Sequence, residues 1–197
     1  KIGAGPAGQG TITGSAATYG GGFVVRSGGE LIINSGNLSE CYAKTGGAAI
    51  YVDGGKATMN GGKISGCCGL NGAIYVNQSK STFILNGGEI CENINRNQSG
   101  SLGKGTLYNA GGKLQIHGGS IHDNQGLNAL YTTGETTITH GRFTNNQLGG
   151  SGAGVLYVNG GTTTVNGTGA APVVISNNTV TGNGGAVYVN SGSLYLS

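Results

Sequence analysis

One phrase recurs along the chain, an aliphatic residue followed by a tyrosine or a second aliphatic: Val24-Val25, Ile50-Tyr51, Ile74-Tyr75, Leu107-Tyr108, Leu130-Tyr131, Leu156-Tyr157 and Val187-Tyr188. From Val25 to Tyr188 the intervals are 26, 24, 33, 23, 26 and 31 residues. Repeats of this period are units that cannot bury an apolar face alone and do so by stacking on their neighbours. A glycine-rich turn usually follows the phrase, as at Gly54-Gly55, Gly111-Gly112 and Gly160-Gly161. A second apolar strand comes next, centred on Ile33, Met59, Leu85, Ile116, Ile138, Val165 and Leu196. A third carries Ile12, Leu38, Ile64, Ile90, Ile121, Phe143 and Ile175. The two long intervals contain polar or small insertions, 95–104 and 168–171, placed in turns where stacked coils tolerate them.

Composition narrows what such units can be. Of 197 residues 44 are glycine, without the strict third-residue period of collagen. Helix formers such as Glu, Lys, Met and Gln are scarce, and Gly, Asn, Thr and Ser are common. Frequent Ile, Val, Leu and Tyr argue against a disordered tail. The expected fold is therefore all-β: a parallel β-solenoid of about seven three-strand coils, one domain over 1–197 and roughly 34 Å long at about 4.8 Å per coil. The net charge of +3 comes from 10 basic and 7 acidic residues without a basic run. That pattern argues against a nucleic-acid partner, which needs a clustered basic face. No stretch approaches the roughly 20 apolar residues of a membrane span.

Alternation assigns directions to the columns. The position of Ile50 is aliphatic in every coil and should face the core, so its neighbour should face outward. That neighbour is Tyr in six coils: Tyr51, Tyr75, Tyr108, Tyr131, Tyr157 and Tyr188. Six stacked aromatic side chains could bind glycan rings or a protein, or could stiffen the rod. Three residues after the third-strand apolar position the column reads Ser15, Cys41, Cys67, Asn93, Asn124, Asn146, Asn178. Inward asparagines at a corner can bond to the turn backbone and to each other, so this column is expected to be a structural ladder. Cys41 and Cys67, on successive coils, either form a disulfide or pack as small thiols in the asparagine position. Glu30 beneath Lys56 and Lys63 beneath Glu89 suit an exposed charge ladder.

These repeats resemble those of right-handed parallel β-helix proteins, and in particular polymorphic outer-membrane-protein-like adhesins and related autotransporter passengers. The resemblance rests on a Gly-Gly-Ala-aliphatic phrase, Gly184-Gly185-Ala186-Val187, with variants Gly72-Ala73-Ile74 and Gly46-Gly47-Ala48-Ala49-Ile50. It rests also on a Phe-x-x-Asn phrase, Phe143-Thr144-Asn145-Asn146, with Ile90, Ile121 and Ile175 replacing Phe elsewhere. It implies a right-handed coil, secretion, cell-surface display and adhesion.

Motifs for chemistry are weak. Gly3-Ala4-Gly5-Pro6-Ala7-Gly8 has the form of a dinucleotide-binding loop, but only Lys1 and Ile2 precede it and strand and turn residues follow. No cofactor is expected. Parallel β-helices include polysaccharide lyases and hydrolases, whose sites need clustered carboxylates. Here Asp53, Asp123 and five glutamates are scattered over the coils, and Glu89 and Glu92 fall around a corner from each other. His117 and His140 sit near equivalent corners and His122 across the next turn. Neither a carboxylate nor a cysteine is expected to complete a ligand set, so no metal is expected. The adjacent pair Cys67-Cys68 lacks zinc-motif spacing. Thr58, Thr137 and Thr164 share their column with Ile32, Ile84 and Gln115, so no flat threonine face forms.

The chain begins within one coil and stops after the second strand of another. It reads as a segment of a longer solenoid or as a unit whose copies stack end to end. The expectation is a non-enzymatic, extracellular or cell-surface β-solenoid, an adhesin stalk or a fibre-forming element. Its partners would be other solenoid segments, identical subunits, glycans or surface proteins. A carbohydrate-active enzyme on the same scaffold is the competing class.

Overall fold

A computed structural model describes residues 10–96, 99–150 and 153–197; the dinucleotide-loop motif at Gly3–Gly8 lies outside them. The described chain is a parallel β-solenoid, with strands from successive coils hydrogen-bonded in register around an axis. The first strands of the early coils are Phe23–Arg26, Ile50–Asp53, Ile74–Asn77 and Leu107–Ala110. The second are Glu30–Ile33, Lys56–Met59 and Thr82–Leu85, and the third Thr11–Thr13, Asn37–Ser39, Lys63–Ser65 and Glu89–Cys91. In later coils the second and third strands fuse across their corner, as in Lys113–His122 and Glu135–Thr144, while Gly154–Val165 and Val187–Leu196 fuse the first with the second. No helix among the described residues is long and apolar enough to cross a membrane.

Register corrects the alignment of the first coil. Phe23 pairs with Ile50 and Val24 with Tyr51, so the recurring phrase there is Phe23-Val24. An aromatic residue fills an inward column that is aliphatic in the other coils, and Val24-Val25 therefore resembled the phrase more closely. Each coil also has a fourth, very short edge that the sequence did not reveal. Ala16–Ala17, Tyr42–Ala43 and Cys68–Gly69 pair in one group, and Gln125–Gly126, Gln147–Leu148 and Thr179–Val180 in another. Ile94 bridges the two groups, to Cys68 and to Gln125.

Apolar columns fill the interior, and three of them take one position from each strand. Ile50, Ile74, Leu107, Leu130 and Leu156 line one, Met59, Leu85, Ile116 and Ile138 another, and Leu38, Ile64, Ile90, Ile121 and Phe143 the third, all buried. Burying a side chain of this size stabilises by about 1.5–3 kcal/mol before entropy is counted. The core is not wholly aliphatic. Asn109 and Thr132 point inward, and Thr136 Oγ1 joins both, at 3.2 Å from Asn109 Nδ2 and 2.8 Å from Thr132 Oγ1.

One corner is made by a left-handed residue in every coil, just before the asparagine column. The residues are Gly14, Glu40, Gly66, Glu92, Asp123, Asn145 and Asn177, with φ between 54° and 64°. A Cβ on Gly66 would meet nothing closer than Glu40 Cγ at 3.6 Å, so only the backbone opposes substitution there. Gly66→Ala is expected to cost about 1–2 kcal/mol, the penalty of a left-handed L-residue, and Gly66→Asn about half of that. Urea denaturation of the two variants checks the ratio.

Candidate functional site

The tyrosine column forms where the phrase alternates, with the preceding aliphatic inward and the tyrosine outward. Its rings are not open to solvent as six free faces. Consecutive centroids from Tyr51 to Tyr188 lie 4.8–5.4 Å apart, close to the coil spacing: Tyr51, Tyr75 and Tyr108 stack, as do Tyr131 and Tyr157, while Tyr108 meets Tyr131 edge to face and Tyr188 is tilted on Tyr157. Tyr51, Tyr108 and Tyr131 retain only 7, 8 and 9 % exposure. Tyr19, from the preceding turn, adds a further ring on Tyr51 at 5.4 Å, where the first coil has only Val24 in the column.

The hydroxyls are engaged as well. Tyr51 accepts from Asn77 Nδ2 at 2.8 Å and Tyr131 from Asn159 Nδ2 at 2.6 Å. Lys104, closing the 95–104 insertion, donates to Tyr108 at 3.2 Å and lies 5.1 Å from the ring centroids of both Tyr108 and Tyr131. Burial pushes the phenols of Tyr51, Tyr75, Tyr108 and Tyr157 above the ordinary range, so they stay protonated. Tyr75, Tyr157 and Tyr188 remain half-buried.

The asparagine column is a continuous hydrogen-bond ladder. The Asn93, Asn124 and Asn146 backbone N–H groups donate to Oδ1 of Asn124, Asn146 and Asn178, at 2.9–3.0 Å. Their amide Nδ2 groups donate back to Ile64, Ile90 and Ile121 carbonyls at 2.9–3.2 Å, and Asn178 does the same to Phe143. The cysteines extend this arrangement weakly. Cys67 N–H donates to Asn93 Oδ1 at 3.0 Å, and its Sγ faces Leu38 O at 3.9 Å and Ser65 O at 3.5 Å. Cys41 and Cys67 are both thiols, buried and adjacent. Donation from Cys67 draws Cys41 down to about 7 against the opposing effect of burial. Cys67 is raised, by that donation and by burial.

Carboxylates are drawn into ladders. Lys56 meets Glu30 at 3.1 Å and Lys113 meets Glu135 at 3.0 Å. Asp53 accepts from Asn77 at 3.1 Å and Gln78 at 2.6 Å. Lys63 is in register with Glu89, yet its close ion pair is with Glu92, at 3.9 Å. The larger surface depressions are shallow grooves. One, of about 510 Å³, runs beside Leu102, Gln125, Gln147 and Thr179; another, of about 460 Å³, lies by Glu135, Thr137 and Thr164.

His117 and His140 are paired in register, and His117 Nδ1 lies 2.8 Å from Thr139 Oγ1. The expectation that no cysteine or carboxylate joins a histidine is corrected at His122. Cys91 is its register partner on the adjacent coil. One ligand atom each from Glu89, Cys91 and His122 lies within 4.8 Å of the others. The signal was present in the sequence: the column Thr13, Ser39, Ser65 continues through Cys91 to His122. Aligning serines with His122 passed over the coil between them.

No protein-family model, no curated protein and no solved structure matches this chain.

Proposed function

We propose that the protein is a non-enzymatic extracellular rod, a stalk that spaces and stiffens what it carries on a surface. The observation that supports this reading is that three side-chain columns make contact from coil to coil. The tyrosine rings pack on each other, the corner asparagines bond coil to coil, and the charges pair along the axis. Side chains that could have met a ligand are spent on the contact between coils. Such a rod resists bending and shear because each step is held by the same contacts as the last. Extracellular placement rests on the resemblance to surface-displayed β-helix repeats. Stalk duty is favoured over adhesion through the tyrosine column because glycan stacking needs exposed ring faces.

The test is Tyr131→Ala, read for stability and for binding to a panel of polysaccharides and cell surfaces. Loss of about 2 kcal/mol with unchanged binding is expected, since a buried ring stacked on Tyr157 and in edge-to-face contact with Tyr108 is removed. Unchanged stability with lost glycan or cell binding would replace the stalk with an adhesive face.

A further inference from the structure

The Glu89, Cys91 and His122 cluster belongs to none of the ladders. Cys91 follows inward Ile90, so its side chain leaves the core, yet the residue is fully buried. Its cover is polar. Lys63 lies on the adjacent coil in register with Glu89, and Glu89 and His122 stand within ligand reach. A thiol facing outward under a lysine, a carboxylate and an imidazole has a different setting from the packing thiols Cys41 and Cys67. Asp123, placed by its left-handed backbone, holds His122 Nδ1 at 2.6 Å. The imidazole is thereby oriented, and Nε2 is the nitrogen left to offer a lone pair. Carboxylate-bound imidazoles of this kind are the usual outer support of a metal-ligating histidine.

We propose that Glu89, Cys91 and His122 form a binding site for a divalent metal of the zinc class, which clips two adjacent coils together. One sulfur, one nitrogen and one oxygen donor suit Zn²⁺ and exclude the all-oxygen preference of Ca²⁺ or Mg²⁺. With Zn–S about 2.3 Å and Zn–N about 2.0 Å, tetrahedral donors sit about 3.5 Å apart. Atoms already within 4.8 Å reach that spacing by small rotations of the exposed Glu89 and half-buried His122 side chains toward the buried sulfur. A water takes the fourth position. Cys91 loses its proton to solvent as the metal binds. Lys63 has its ion pair with Glu92, at 3.9 Å. The two ligating strands, Glu89–Cys91 and Lys113–His122, flank the 95–104 insertion in sequence. The clip therefore ties together the coils that this insertion interrupts.

The experiment is a titration of the reduced full chain with Co²⁺ alone, followed by Zn²⁺ displacement. Expected are one equivalent, a sulfur-to-cobalt charge-transfer band, tetrahedral d–d absorption and a raised melting temperature. Cys91→Ser should remove the charge-transfer band. Its fold is safe, because Ser39, Ser65 and Ser176 occupy the same column. Cys68→Ser, at a thiol elsewhere on the coil, should leave the band unchanged. Asp123→Asn, tolerated in a left-handed position, should weaken binding about tenfold or more without abolishing it. The absence of a charge-transfer band in the wild-type chain would overturn the proposal. So would a band that survives Cys91→Ser, or one lost in Cys68→Ser.

Discussion

Asn124→Ala will cost about 3 kcal/mol, far more than a polar-to-alanine change at the surface. Asn124 is fully buried and serves both neighbouring coils at once. Its Oδ1 receives the Asn93 backbone N–H and Nδ2, both at 3.0 Å. Its Nδ2 donates to Ile90 O at 2.9 Å and Asn146 Oδ1 at 3.0 Å. Alanine leaves the Asn93 N–H and the Ile90 carbonyl without these partners in a dry corner. Each orphaned buried group costs about 1–3 kcal/mol. Asn178 makes the same bond to Phe143 O, at 2.8 Å, but is only half-buried. Water can replace its amide, and Asn178→Ala should cost about 1 kcal/mol. Chemical denaturation of both variants gives the comparison; equal losses would mean that the ladder acts through packing and not through satisfied polar groups.

The same pair probes how far damage travels. Coils contact only the coils beside them, so opening should spread by nearest neighbours. Amide exchange in Asn124→Ala should rise in the coils of Asn93 and Asn146 and stay unchanged around Leu31 and Ile33.

The physical reason some columns were legible and others were not follows from range. Ile50, Met59 and Ile64 announce themselves because an inward position needs an apolar side chain in nearly every coil, and the corners need glycine or a left-handed residue. The fourth edge gives no such signal. Ala16-Ala17, Cys68-Gly69 and Gln125-Gly126 share no side-chain property, because backbone bonds alone define that edge. The tyrosine direction could be read from alternation; its coverage could not. Coverage depends on ring spacing across coils, on Tyr19 from a turn and on Lys104 from an insertion. The Cys91 and His122 pairing depends on a register crossing 31 residues, where the insertion hides the column.

Packing within a column is the remaining case, and it supports the largest expected effect. Leu31, Ala57, Phe83 and Leu114 stand one above another on successive coils. Ala57 is 1 % exposed and Phe83 is fully buried, so the large ring covers the small residue beneath it. Phe83→Ala places alanine on alanine and opens a cavity that the flanking strands cannot collapse, since their backbone bonds fix the coil spacing. The loss should be about 3–5 kcal/mol. Ala57→Leu alone should also destabilise, by about 1–3 kcal/mol, because the ring above leaves no room. If Phe83 compensates for Ala57, the double variant Ala57→Leu with Phe83→Ala will be more stable than the sum of the single losses by about 1–2 kcal/mol, with leucine filling the space from below. A double-mutant cycle from urea denaturation measures that coupling. Strict additivity would mean that each coil packs its own cross-section independently, and that the repeat tolerates volume changes one coil at a time.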